Sequence, residues 1–213
     1  MATYLVMIGP PGAGKGTQAS RLAEKLGLAH VSTGDIFREN IRNDTELGIR
    51  VKMLLESGTL VPDELTIALV RDRLQHSDCR RGAVLDGFPR TPAQAAALES
   101  MLAELGFCVN VAPYISLDDK AVMGRLTGRR TDRRTGKTYH LKYDPPPADA
   151  ELEQRPDDSE ETVQHRLDEY YENTAPLLDY YNERGVLRQF DGELRIDALT
   201  EVMMVAVGEQ TVA

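Results

Sequence analysis

Two cysteines, Cys79 and Cys108, are the only thiols in a chain of 213 residues, and no C-x-x-C spacing gives either a partner. That argues against a metal knuckle and a disulfide framework and fits a reducing compartment, so the expected location is cytoplasmic. Long apolar runs are missing too. Nowhere do enough consecutive apolar residues occur to cross a bilayer, and the first residues show no charged region, apolar stretch or cleavage site of a leader. No repeat or low-complexity tract is present. The formal charge is −9, so the surface as a whole repels nucleic acid and anionic membrane, and an anionic substrate has to be met by a local basic cluster. Lysine is scarce beside arginine, 6 against 19, and Arg125, Arg129, Arg130, Arg133 and Arg134 fall within ten residues. Planar forks at that density suit bidentate capture of phosphate oxygens. The histidines His30, His76, His140 and His165 are scattered and form no His-Asp or Ser-His pattern, so each is read as structural or solvent-exposed.

What the chain does contain begins with the apolar run Tyr4-Leu5-Val6-Met7-Ile8, followed at residues 9–17 by GPPGAGKGT. From Thr17 to Leu26 the apolar spacing is that of a helix, ended by Gly27. Strand, glycine loop and helix in that order aim bare backbone N–H groups and a helix N-terminus at an anion, with Lys15 adding a full charge at the rim. Phosphate is the natural candidate. Gly9, Gly14 and Lys15 fit the pattern G-x-x-x-x-G-K with one departure: Gly16 stands where a hydroxyl residue is expected, and Thr17 comes one position later. A direct hydroxyl bond to magnesium is thereby put in question.

Further along, a helix is expected over residues 63–75, a buried strand over Gly82–Asp86, a helix over Pro92–Leu105 closed by Gly106, and a strand over Val109–Ile115 interrupted by Pro113. Strands alternating with helices imply an open parallel α/β sandwich with ligands at the carboxyl ends of the strands, where both the first glycine loop and LDGFPRT fall. Two stretches break the alternation. Residues 32–61 carry a charged helical pattern between Ile36 and Glu56 with no strand, and residues 128–158 are rich in Arg, Asp, Pro and turn signals. Both read as inserts in a core made of residues 1–31, 62–127 and 159–213. The second, poor in aliphatic residues, should be a small module that moves against the main sheet.

The set GPPGAGKGTQA, STGDIFR, GTLVPDELT, LDGFPRT, RLTGRR, TYH and RPDDSEETVQHRLDEYYENTAPL, in order over essentially the whole chain, resembles adenylate kinase of the bacterial long-lid type. The resemblance implies a P-loop α/β fold with a helical AMP-binding insert and a lid. It implies the reversible reaction MgATP + AMP = 2 ADP, a part in adenine nucleotide homeostasis, and a soluble monomer that binds no nucleic acid or membrane. Gly12, Ala13, Gly14, Lys15, Gly16 and Thr17 then hold the ATP phosphates. Arg38 and Arg90 lie on the AMP side and Arg125 and Arg129 on the ATP side, while Arg155 and Arg166 link the lid to the transferring phosphate. Thr33, Thr59, Leu60, Val61, Gly87, Phe88, Pro89 and Gln94 are implied for the AMP pocket, Gln94 offering donor and acceptor to the adenine edge; an exposed helix position is its plain alternative. Thr138 and Tyr139 with His140, and the loop carrying Gly192 and Leu194, are implied near the ATP adenine. For Tyr139 the plain alternative is packing in the lid.

The chemistry fits these residues. Phosphoryl transfer needs alignment, charge neutralisation and exclusion of water, and a monophosphate acceptor is already anionic near neutral pH, so no general base is required. Asp86, at a strand end, is read as holding a magnesium-bound water, with helix capping as the ordinary alternative. Asp157 and Asp158 are read as lid carboxylates that pair with arginines; Asp158 also fits a D-x-x-E cap with Glu161. The lid departs from zinc-bearing relatives: Asp132 and Thr135 stand at the first cysteine pair's positions and the segment after Pro147 is shorter, so a hydrogen-bond network and no zinc are expected. A UMP/CMP kinase is the nearest alternative, disfavoured by the long second insert. A GTPase-type switch would need an N-K-x-D motif, and none of Asn40, Asn43, Asn110, Asn173 or Asn182 begins one.

Overall fold

The computed structural model describes residues 2–211, with side chains through Gly208, so the first residue and the last two of the expected core segments lie outside the described residues. Five parallel strands build the central sheet: β1 (Thr3–Met7), β2 (Ala29–Ser32), β3 (Gly82–Asp86), β4 (Ala112–Ser116) and, numbered in chain order after three lid strands, β8 (Leu187–Asp191). β3 pairs with β1 and β2, and β4 pairs with β8. Two parallel bridges, Leu5 to Val111 and Ile8 to Tyr114, join the halves into the order β2-β3-β1-β4-β8. Pro113 does not interrupt its strand. Its carbonyl accepts from Ile8 N at 2.8 Å, after Val6 N has donated to Val111 O at 3.1 Å. A regular ladder would next take an N–H from residue 113, and proline has none, which reduces this seam to isolated bridges.

β1 is apolar from Tyr4 to Met7 because both of its faces are covered there. Tyr4, Val6 and Ile8 enter one cluster with Phe88, Leu98, Leu102 and Tyr181. Leu5 and Met7 enter the other, with Ala19, Leu22, Leu199 and Met203. The helices that supply these layers are α1 (Lys15–Leu26), α4 (Asp63–Leu74), α5 (Pro92–Glu104), α8 (Pro176–Glu183) and α9 (Ile196–Thr211). β2 and β8 escape the periodicity reading: β2 is four residues long, and β8 shows an exposed residue at its centre.

Residues 32–61 form two helices, α2 (Thr33–Arg42) and α3 (Glu46–Ser57), where the sequence pattern ran on from Ile36 to Glu56. The break is local chemistry: Thr45 Oγ1 accepts from Gly48 N at 3.1 Å as the N-cap of α3 and donates to Asn40 Oδ1 at 2.7 Å. Phe37, Val51 and Val61 give this pair an apolar cluster of its own. After α6 (Asp119–Thr127) the chain forms a second, antiparallel sheet of order β6-β5-β7, from β5 (Arg129–Asp132), β6 (Thr138–His140) and β7 (Leu152–Glu153). It returns through a short 3₁₀ turn to α7 (Glu160–Glu169), and a π turn at Tyr170–Thr174 leads into α8.

The two helices of the insert touch backbone to backbone. A methyl added at Gly48 would lie 2.2 Å from the Asn40 carbonyl oxygen. Gly48→Ala is expected to cost about 1–3 kcal/mol through overpacking. Hydrogen exchange should then show lost protection within residues 33–57, with the β1 and β3 amides unchanged.

Candidate active site

The glycine loop leaves β1 at the carboxyl edge of the sheet and closes on Gly14, which caps α1 in the left-handed region at φ 96°. The helix therefore begins at Lys15, two residues before its apolar spacing does. Lys15 curls over its own loop, Nζ donating to Gly9 O at 2.7 Å and Pro10 O at 2.8 Å. Burial pulls the amine down to about 7; Asp86 opposes that fall, while Arg90, Arg166 and Arg129 add to it. Asp86 Oδ2 lies 3.2 Å from the point where a Gly16 side chain would begin, and Ser32 Oγ lies 3.5 Å from the same oxygen. Asp86 caps no helix, since Ser32 caps α2 and Thr91 caps α5.

Two hollows meet at the strand ends. Lys15, Gly9 and Pro89 line one, and Thr33, Arg38, Thr59, Val61 and Gln94 line the other. Leu60, Gly87, Arg90 and Arg166 line both. Phe88 is fully buried beneath them, in the sheet's apolar layer. Burial lowers the Arg90 and Arg166 guanidiniums, the latter to about 10, and it takes Arg155 to about 9 with help from Arg38 and Arg129.

The counter-charges are Asp157 and Asp158. Arg129 grips Asp158 through two bonds, Nε to Oδ2 at 2.8 Å and Nη2 to Oδ1 at 2.5 Å, and Arg166 Nη1 donates to Asp157 Oδ2 at 2.6 Å. Burial would raise the Asp157 carboxyl, yet Arg166, Arg129, Arg155 and Arg38 outweigh it and hold the group below the usual carboxylate range. Asp158 is fully buried, and the D-x-x-E cap is overturned: Ser159 caps α7, accepting from Thr162 N at 3.2 Å. Arg155 reaches back to the lid sheet, donating to Thr131 Oγ1 and Thr138 Oγ1, both at 3.0 Å.

The remaining sequence candidates divide. Arg38 pairs with Asp35 at 2.5 Å, and Thr33 Oγ1 donates to Gly87 O at 2.9 Å. Gln94 is buried rather than exposed, and its amide is engaged on both ends, accepting from Arg90 N and donating to Asp63 Oδ1, each at 2.8 Å. Arg125 donates to Gly192 O at 2.8 Å, which ties α6 to the loop after β8. Ala13 is buried under the glycine loop, Gly12 and Thr17 flank it, and Leu194 is exposed. Tyr139 lies in β6 under Lys137 Nζ, 4.8 Å from the ring centre. In the lid, Thr135 Oγ1 donates to Asp132 Oδ2 at 3.0 Å, as expected of a polar network.

Sequence reasoning missed Thr174, Asp63 and Asp35. Thr174 Oγ1 donates to Arg90 O at 2.9 Å, and Asp63 receives both Gln94 and, at 2.8 Å, the Thr91 hydroxyl. Asp35 alone carried a readable signal, three residues before Arg38 on one helix.

A glycine loop at the carboxyl edge of a parallel sheet, beside guanidiniums from residues 32–61, from residues 128–158 and from the sheet's own helices and turns, defines a P-loop protein built for phosphoryl groups. A family profile described as adenylate kinase matches residues 7–186. Adenylate kinases of Acidothermus cellulolyticus and Moorella thermoacetica are each 49% identical to the chain, covering 95% and 96% of it and 97% of their own length. That of Bacillus cereus is 46% identical over 96% of the chain and 98% of its own. The chain belongs to the adenylate kinase family.

Two measurements test this electrostatic arrangement. Asp158→Asn leaves Arg129 half-matched in a buried position and should cost about 3–5 kcal/mol in urea unfolding. An anion beside Lys15 raises the amine above its free value of about 7, so affinity for inorganic tripolyphosphate should be complete below that pH. It should then decline by up to about tenfold per unit as pH rises. Lys15→Arg, which does not deprotonate, should show a flat profile in titration calorimetry.

Proposed function

We propose that the chain catalyses MgATP + AMP = 2 ADP by in-line phosphoryl transfer, with the acceptor in the hollow of Arg38 and Gln94 and the donor's terminal phosphates at Lys15. The observation that carries this reading is that Arg90 and Arg166 line both hollows. A phosphoryl group crossing from one to the other passes between the same two guanidiniums. Its spreading charge is met there without any side chain moving to it.

Arg38 and Arg90 would hold the AMP phosphate, with Thr33, Thr59–Val61 and Gly87–Arg90 shaping the pocket. For Gln94 to read adenine, it would exchange a bond now made within the protein. Gly12–Thr17, Arg125 and Arg129 would serve ATP, with the segments of Thr138, Tyr139, Gly192 and Leu194 toward its base. Arg155 and Arg166 would close the charge clamp, and Asp157 and Asp158 would balance it until nucleotide enters. An AMP oxygen with a pKa of about 6 is anionic at neutral pH, so the residues have only to align and shield it.

Magnesium, when bound with ATP, neutralises phosphate oxygens. A single carboxylate beside the loop, Asp86, with Gly16 leaving space in front of it, suits an ion that keeps most of its waters. Among the described residues no group of three or more His, Cys, Asp or Glu side chains that could hold a metal ion occurs. The core of residues 1–31, 62–127 and 159–213 would carry the AMP-binding insert 32–61 and the lid 128–158. The lid would cohere through Asp132 and Thr135 in place of zinc. No helix of the described residues is long and apolar enough to cross a membrane. The reading is of a cytoplasmic monomer that acts on small molecules.

Mixing the protein with MgATP and each of AMP, UMP, CMP and GMP should yield ADP rapidly with AMP alone. Arg90→Ala should lose about a hundredfold or more in turnover while its circular dichroism stays native. Near-full activity in that variant would overturn the clamp.

A further inference from the structure

His165 takes no part in the reaction described above, yet it is the side chain through which α7 takes hold of residues 32–61. Its Nε2 lies 3.2 Å from Thr59 Oγ1, across 106 positions of sequence. Thr59 Oγ1 lies 3.1 Å from Ser57 Oγ, which donates to Leu54 O at 3.0 Å. Three hydroxyl and imidazole groups thus form one line from the middle of α7 to the last turn of α3. Ser57 Oγ donates to Thr59 Oγ1, and the Thr59–His165 bond runs in the direction that the imidazole tautomer sets, Thr59 having both a proton to give and a lone pair to offer.

Backbone shape supports the same contact. Gly58 ends α3 at φ 80°, and a side chain there would begin 2.6 Å from Arg166 Cγ and 3.1 Å from Thr162 Cγ2. The turn after α3 therefore lies directly on α7, and His165 occupies the half-buried seam beside it. Both neighbours of the hydrogen bond face the hollows: Arg166 and Leu60 line each of them. Fixing Thr59 to His165 fixes Leu60 relative to Arg166.

We propose that His165 is a positioning residue, a latch that holds the acceptor-binding insert against α7 so that Thr59–Val61 and Arg166 face the same ligand. The proposal rests on residues 32–61 serving AMP. A latch of this kind acts chiefly on the acceptor, since Thr59 and Val61 line the hollow of Arg38 and Gln94 and not that of Lys15.

Steady-state kinetics with AMP varied at saturating MgATP, and then the converse, test it. His165→Ala should raise KM for AMP by about three- to tenfold, the worth of one hydrogen bond, and leave KM for ATP unchanged. His165→Gln, whose amide donates from a similar reach, should restore most of the affinity. Thr59→Val should reproduce the defect, and the double variant should be no worse than the more impaired single one, because both remove the same bond. An unaltered KM for AMP in His165→Ala, parallel shifts for the two substrates, or additive effects in the double variant would each overturn the latch. Arg38→Ala serves as the control. If it raises KM for AMP while His165→Ala does not, only the latch fails; if the wild-type protein forms no ADP from AMP, the functional reading itself fails.

Discussion

Like charges brought together in a cleft with little water are the constraint around which this molecule is organised. Lys15, Arg90, Arg129, Arg155 and Arg166 each feel at least one of the others, and burial weakens the protonation of Lys15, Arg90, Arg155 and Arg166. Asp86, Asp157 and Asp158 offset them at close range. The arrangement is tolerable because Asp158 is bonded twice by Arg129 and Asp157 is shared between Arg166 and Arg129. It is also why a multiply charged anion relieves more strain here than on an open surface.

The fold serves that constraint by bringing distant segments to one edge. β1, β2 and β3 end side by side, so the glycine loop, the start of α2 and the Asp86–Arg90 turn emerge within a few residues of register. Arg129 comes from β5, Arg166 from α7, and Asp157 and Asp158 stand on the turn that leads into α7. The sheet supplies rigidity through two apolar layers, and the inserts supply charge.

Legibility in the sequence followed the physics of each element. β1, β3, α1 and α5 were readable because an unbroken apolar run, a 3.6-residue spacing and terminal glycines or Pro92 act within one segment. β2 and β8 were not, since one is four residues long and the other leaves its central residue exposed, so neither has a periodicity to read. The split between α2 and α3 depends on Thr45 meeting Asn40, a contact of two polar side chains that composition does not announce. Most basic residues of the candidate site were recognisable from type and motif. Their partners were harder: Asp158 reads both as an arginine's partner and as a D-x-x-E cap and is only the first, and Thr174 reaches Arg90 only through the fold. The depressed basicity of Lys15 is likewise a property of enclosure, which no local pattern encodes.

The two inserts are made of different materials. The α2–α3 pair owns an apolar cluster of Phe37, Val51 and Val61, whereas none of the four apolar clusters of the described residues includes a residue between 128 and 158. That second segment is joined by Arg133–Glu153, Arg134–Asp149 and Arg134–Glu151 contacts, two of them longer than 3.5 Å. Its cohesion is therefore subject to Debye screening, while that of its counterpart answers to the solvation of hydrocarbon. Added sodium chloride should therefore loosen residues 128–158 and spare residues 32–61, so the ionic strength of the medium acts on only one of the two.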